Sequence, residues 1–115
     1  MRKLKRGRKL HRETKQRKAL MKALMTALIS NGKIKTTEAK AKEIRPKIEK
    51  MVTRARVKSV SSIREINKVF AEDISKKLFD EVAPKYQKRA GGYTRITKLG
   101  ARKSDGSKMA QIEFV

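Results

Sequence analysis

Residues 89–99 read Arg-Ala-Gly-Gly-Tyr-Thr-Arg-Ile-Thr-Lys-Leu, and a change of period inside this stretch decides the fold. Upstream of Gly91-Gly92 the apolar residues recur at three and four residue steps, the spacing of helix faces. Downstream, Tyr93 to Leu99 alternates, and the same period of two returns in Met109-Ala110-Gln111-Ile112-Glu113-Phe114-Val115. Asp105-Gly106, between the two runs, is a turn signal. Two strands, 93–99 and 109–115, therefore form a hairpin. Ala110, Ile112 and Phe114 lie on its buried face.

Working outward, Lys33-Ile34-Lys35-Thr36-Thr37 is short, alternating and rich in β-formers, so it adds a third strand with Ile34 inward. The rest reads as helix. Thr14 can cap a first helix over 15–31, carrying Leu20, Met21, Leu24, Met25 and Leu28 and stopped by Asn31-Gly32. Thr37 caps a second over 38–57, with Ile44, Ile48, Met51, Val52 and Ala55 on one face. Pro46 should kink or split it near Arg45. Ser62 and Glu65 match a capping box that opens a third helix. Asp73 caps a fourth, ended at Ala83-Pro84, and Pro84 suits the start of one more turn through Tyr86 and Lys88. The expected class is α+β: a two-layer domain with helices packed on one face of a small three-stranded mixed sheet.

Ahead of this domain runs MRKLKRGRKLHRETKQRK. Arg2, Lys3, Lys5, Arg6, Arg8, Lys9, Arg12, Lys15, Arg17 and Lys18 are opposed only by Glu13, so eighteen residues carry +9. With only Leu4 and Leu10 to bury, residues 1–13 cannot offset the entropy of ordering themselves. They read as a basic arm on a single domain, 14–115. The whole chain of 115 residues has 33 Lys plus Arg, 11 Asp plus Glu and a net charge of +22. Such charge on so short a chain repels itself unless a polyanion neutralises it, and a nucleic acid backbone is the partner of matching charge density.

Other classes find less support. There is no cysteine, hence neither disulfide nor thiolate metal site, and the composition fits a reducing interior. The basic start lacks the apolar run of a signal peptide, and Ala19 to Ser30, interrupted by Lys22, is too short to span a bilayer, so a soluble protein is expected. The single histidine, His11, lies in the arm, where nothing would hold it for catalysis or metal binding; it reads as one more contact in a basic run. The acids are scattered, many with a cation four residues away, as Glu38 with Lys42. No enzyme, cofactor, metal or small-molecule substrate is expected. With Phe70, Phe79 and Phe114 assigned to the core, only Tyr86 and Tyr93 remain to stack on bases, so folded RNA should be recognised through phosphates and shape. A DNA-architectural protein shares the charge but should also bind duplex DNA. A membrane-active basic helix would need a free apolar face, which the following elements argue against.

Several runs together carry a resemblance: Arg8-x-Leu10-x-Arg12 in the arm; Ile34-Lys35-Thr36-Thr37 leading into Ala39-Lys40-Ala41-Lys42-Glu43; Arg89-Ala90-Gly91-Gly92-Tyr93-Thr94-Arg95-Ile96; and Met109-Ala110-x-Ile112-Glu113-x-Val115. They resemble the bacterial ribosomal large-subunit protein L-seventeen family over essentially the whole chain. The resemblance implies a structural role on large-subunit ribosomal RNA near the outer end of the nascent-peptide tunnel, beside neighbouring ribosomal proteins. It implies RNA contacts from the arm with its His11 and from Gly91, Gly92, Tyr93, Thr94 and Arg95, to which the residue reading adds Lys15, Arg17, Lys18, Lys35 and Arg89. Pro46 and residues 57–73 depart from the family's pattern.

Overall fold

The computed structural model describes residues 14–115, so the arm expected over 1–13 lies outside the described residues. Helix α1, Thr14–Asn31, buries Met21, Met25, Leu28 and Ile29, one helical stripe. Gly32 ends it in the left-handed region (φ 80°), its N–H returning 2.7 Å to the Leu28 carbonyl. The last turn carries no cation of its own. Lys77 supplies one from elsewhere in the chain, its ammonium donating to the Ser30 carbonyl at 2.8 Å.

Strand β1, Lys33–Thr37, follows at once and hands the chain to α2, Glu38–Ala55, where the Thr37 hydroxyl accepts from the Lys40 N–H at 3.3 Å. Beside Glu38, the Lys42 ammonium at 2.8 Å holds the carboxylate below its usual range, against the opposing effect of desolvation. The helix runs unbroken through Pro46, where a kink or split was expected. Pro46 and Lys42 are both exposed. The Lys42 carbonyl, which loses its i+4 partner at the proline, thus lies on the wet side of the helix.

Helix α3, Val60–Val69, starts earlier than the Ser62 signal suggested. Ser59 is its cap and Ser62 the reciprocal partner, with the Ser62 N–H on Ser59 Oγ at 3.1 Å and the Ser59 N–H on Ser62 Oγ at 3.0 Å. Glu65, released from capping, pairs with Arg54 of α2 at 3.0 Å. Helix α4, Glu72–Lys77, likewise begins one residue before Asp73, with Ala71 at the cap and two acids in the first turn facing the helix dipole. It widens into a π-helical turn, Leu78–Val82, then tightens into a 3₁₀ turn, Ala83–Tyr86, with Pro84 at its start. The wide turn brings Leu78, Phe79, Val82 and Ala83 all into the core. The Ala83 N–H reaches back five residues to the Leu78 carbonyl.

Strands β2, Thr94–Ala101, and β3, Lys108–Phe114, complete a sheet of order β1-β3-β2. Every pairing is antiparallel, which corrects the expected mixed sheet. The last strand runs between the other two and ends where β1 begins, the Phe114 N–H donating to the Gly32 carbonyl at 3.1 Å. Ile34, Ile112 and Ile96 align in one row on the helix-covered side, beneath the buried Ile44, Ile48 and Val52 of α2. Lys33, Lys35, Arg95 and Thr97 are exposed on the other side. Opposite Met109 the register slips so that Leu99 is the extra residue of a bulge, and Gly100 takes a φ of 91°. Among the described residues no helix is long and apolar enough to cross a membrane.

The hairpin turn is closed by Asp105. Its carboxylate takes both Arg102 nitrogens at 3.0 Å and the Ser107 N–H at 3.1 Å. The Arg102 guanidinium, more than the Ser107 N–H, holds this carboxyl down at about 2. A depressed folded pKa means the turn gains stability above the unfolded carboxylate value of about 3.9 and loses it as pH falls through about 2. An NMR titration should therefore place the Asp105 midpoint near 2, and Arg102→Gln should return it toward the ordinary value. An ordinary midpoint in the unaltered chain would show the fork to be open in solution.

Candidate nucleic-acid interface

The Gly-Gly segment leaves the 3₁₀ turn and is fastened to α2 before it becomes β2. The Arg89 N–H returns to the Tyr86 carbonyl and its guanidinium reaches forward to the Gly92 carbonyl, both at 3.0 Å, bracing the turn from outside. Gly92 is left-handed (φ 67°), a conformation that explains its glycine. From α2, Glu49 reaches across: one carboxylate oxygen accepts from the Gly92 N–H at 3.3 Å, the other from the Thr94 hydroxyl at 2.8 Å. Arg45 holds the same carboxylate and donates to the Thr94 carbonyl, each at 3.4 Å.

Tyr93 lies beneath this clamp with no exposed surface. Its ring meets that of Tyr86 at 5.1 Å and a 52° tilt. Its hydroxyl accepts from Arg56 at 3.0 Å and is 3.1 Å from the Thr53 hydroxyl. The Thr53 hydroxyl also reaches the Glu49 carbonyl at 3.0 Å, and the Tyr93 hydroxyl donates to the Arg89 carbonyl at 3.4 Å. Arg56 and Gln87 exchange bonds with each other's carbonyls at 3.0 and 3.1 Å. Arg56 is thus a cation used inside the fold. Burial pushes the Tyr86 hydroxyl up, against the nearby Arg89 cation, and it donates to the Val115 main-chain oxygen at 2.6 Å.

Of the residues expected to contact RNA in this segment, Tyr93 and Thr94 are buried, held by Arg56 and Glu49 respectively. Tyr86, the other aromatic outside the expected core, is buried too. What the segment leaves exposed is Arg89, Ala90, Gly91, Gly92 and Arg95.

The remaining expected contacts fall in separate places. Lys15, Arg17 and Lys18 occupy the start of α1, which has no acid in its first turn; Lys15 and Lys18 are exposed, and Arg17 turns back to the Thr14 hydroxyl at 3.4 Å. Three cations at the positive end of the helix dipole are unfavourable without an anion. Lys35 and Arg95 share the open face of the sheet on opposite edge strands. The sheet rows are Lys35–Gln111–Thr97 and Lys33–Glu113–Arg95. Arg2, Lys3, Lys5, Arg6, Arg8, Lys9, His11 and Arg12 lie outside the described residues.

The residue reading passed over Lys47, Lys50 and Arg54 as the solvated side of α2. At steps of three and four they form one stripe, and the fold sets Lys50 and Arg54 along a groove of about 370 Å³ whose other wall is Ala90, Gly91 and Tyr93. Removing the clamp should loosen this wall. Glu49→Ala strands the Gly92 N–H and the Thr94 hydroxyl and should cost about 1–3 kcal/mol. Faster amide exchange at Gly92 is the expected signature, and unchanged exchange there would show that Glu49 does not hold the turn.

A family model described as Ribosomal protein L17 matches residues 20–115. The chain is 48% identical over 116 residues to a protein of Gemmatimonas aurantiaca named large ribosomal subunit protein bL17, the match covering 100% of this chain and 98% of that one. Proteins of the same name from Clostridium acetobutylicum and Shouchella clausii are 48% and 50% identical, covering 94% and 93% of this chain and 96% and 97% of theirs.

Proposed function

Because the chain belongs to the ribosomal protein L17 family, a non-enzymatic structural component of the large ribosomal subunit in the cytoplasm, we propose that it binds and stabilises large-subunit (23S-type) ribosomal RNA near the exit of the nascent-peptide tunnel. The observation that carries this reading is charge without internal neutralisation: 33 cations face 11 acids. Several of those acids are already engaged within the fold, as Glu49, Glu65 and Asp105 are. A surplus of that size needs phosphates.

On this reading the arm, Arg2 to Arg12, enters between RNA helices while the folded body rests on the RNA surface. Lys15 and Lys18 then place a phosphate at the start of α1, which turns the unfavourable dipole arrangement into a favourable one. Lys35, Arg89 and Arg95 add neutralising contacts, and Gly91 and Gly92 present bare backbone. Tyr93 and Thr94 serve from beneath by holding those glycines in place. Neighbouring ribosomal proteins are the remaining partners, and recognition rests on phosphates and shape.

Sedimentation of a lysate through sucrose gradients of rising salt tests the assignment. The chain should travel with the large subunit at about one copy each at low salt and be stripped steeply as salt rises, as a protein held through phosphates is. Absence from the large subunit at low salt would overturn RNA anchoring.

A further inference from the structure

Gly91 is a glycine that the fold itself does not explain. Unlike Gly92, it lies outside the left-handed region, and a Cβ built on it meets nothing within 4 Å. An unneeded glycine still carries its entropic penalty, about 0.5–1 kcal/mol relative to alanine where the backbone is ordered. The backbone here is ordered from both sides, by Arg89 on the Gly92 carbonyl and by Glu49 on the Gly92 N–H. The reason for a missing side chain therefore lies outside the chain, in something that approaches this backbone closely.

The surroundings indicate its chemistry. The main-chain N–H groups of Ala90 and Gly91, two residues that line one side of the groove, have no partner among the described residues. The opposite wall carries Lys50, which forms no ion pair among the described residues, and Arg54, whose guanidinium is held by Glu65 at 3.0 Å. Glu49 also lines the groove, but its two oxygens are occupied by Gly92, Thr94 and Arg45. The free groups are two N–H donors and one cation, Lys50, the complement of a phosphate.

We propose that the groove between α2 and the Ala90–Gly91 turn is a phosphate cleft for the ribosomal RNA backbone, in which both main-chain N–H groups and the Lys50 ammonium hold one phosphate and Gly91 lacks a side chain so that the strand can enter. This rests on the rRNA reading above and adds a contact from α2. Glu49 and Tyr93 are positioning residues, which set the turn without touching the phosphate. The contact is independent of base sequence.

The test measures binding of the full-length chain to deproteinised large-subunit rRNA at several salt concentrations. Gly91→Val should melt within about 3 °C of the unaltered protein, because the added atoms meet open space. It should nevertheless bind about tenfold more weakly, through loss of charge-assisted bonds. Lys50→Gln should reduce the log-log salt slope by about 0.7–0.9, one phosphate's share. In the double variant the losses should be less than additive, since both changes release the same phosphate. If Gly91→Val and Lys50→Gln both bind as the unaltered chain does, while Arg6→Gln/Arg8→Gln in the arm weakens binding, the cleft is refuted and the rRNA reading survives. If the unaltered chain does not bind the rRNA at any salt concentration, the rRNA reading fails with it. Should Gly91→Val melt early, Lys50→Gln decides alone, because it leaves the turn untouched.

Discussion

Tyr93→Ala is expected to remove about 3–5 kcal/mol of stability, the usual cost of truncating a buried aromatic. The size of the effect follows from where the ring sits. Tyr93 has no exposed surface, packs against Tyr86, and gathers α2 through Thr53 and Arg56. A domain of this size has about 5–15 kcal/mol in total, so one truncation takes a large share. Thermal unfolding followed by circular dichroism should show a midpoint lowered by at least about 12 °C. Tyr93→Phe separates packing from hydrogen bonding: it keeps the ring, removes the acceptor of Arg56 Nη1 while Nη2 stays on the Gln87 carbonyl, and should cost about 1–3 kcal/mol. A Tyr93→Ala midpoint within about 2 °C of the unaltered protein would mean that the hub can collapse around the gap or that the ring is not buried in solution.

Much of the architecture was legible because burial imposes periodicity. The stripe Met21, Met25, Leu28 and the alternation Ala110, Ile112, Phe114 identify helix and strand with no knowledge of what they pack against. Strand direction was not legible in the same way. An alternating pentapeptide such as Lys33 to Thr37 has the same inner and outer faces whether it runs parallel or antiparallel to its neighbour. Only the placement of β3 between the other strands settles the sense. The capping error at Ser62 has a related origin. Ser59 and Ser62 are spaced as cap and partner just as Ser62 and Glu65 are, and the choice is made by Arg54, which draws Glu65 away. The π turn at Leu78–Val82 left no local signature, since it satisfies the core and not the helix itself.

The candidate interface is legible as charge and illegible in orientation. Tyr93 and Thr94 belong to a run of exposed-type residues, Arg-Ala-Gly-Gly-Tyr-Thr-Arg, yet Glu49 of α2 and Arg56 at its C-cap, distant in sequence, turn them inward. The same tertiary pairing makes a groove wall of Lys50, which from sequence alone was one cation on a wet helix face. Long-range partners decide which members of a basic, glycine-rich run stay exposed, and local composition carries no record of them.

Charge itself predicts the largest functional effect. If the arm and body together neutralise about eight phosphates, the affinity for large-subunit rRNA should fall with salt on a log-log slope near −6 to −7, between the single-strand and duplex limits. Between about 50 and 200 mM salt that amounts to a loss of roughly four orders of magnitude. Replacing Lys5, Arg6, Arg8 and Lys9 with glutamine in the full-length chain should flatten the slope by about 3, because each abandoned phosphate restores about 0.7–0.9. The folded body should be unmoved, since the buried core of the described residues runs from Met21 to Ile112 and the substitutions lie outside it. A slope near −2 for the unaltered chain would remove the arm from RNA binding. A steep slope that ignores the four substitutions would instead move the neutralising charge onto the folded surface, where Lys15 and Lys18 at the dipole end of α1 and Lys35 on the open sheet face are the cations to substitute next.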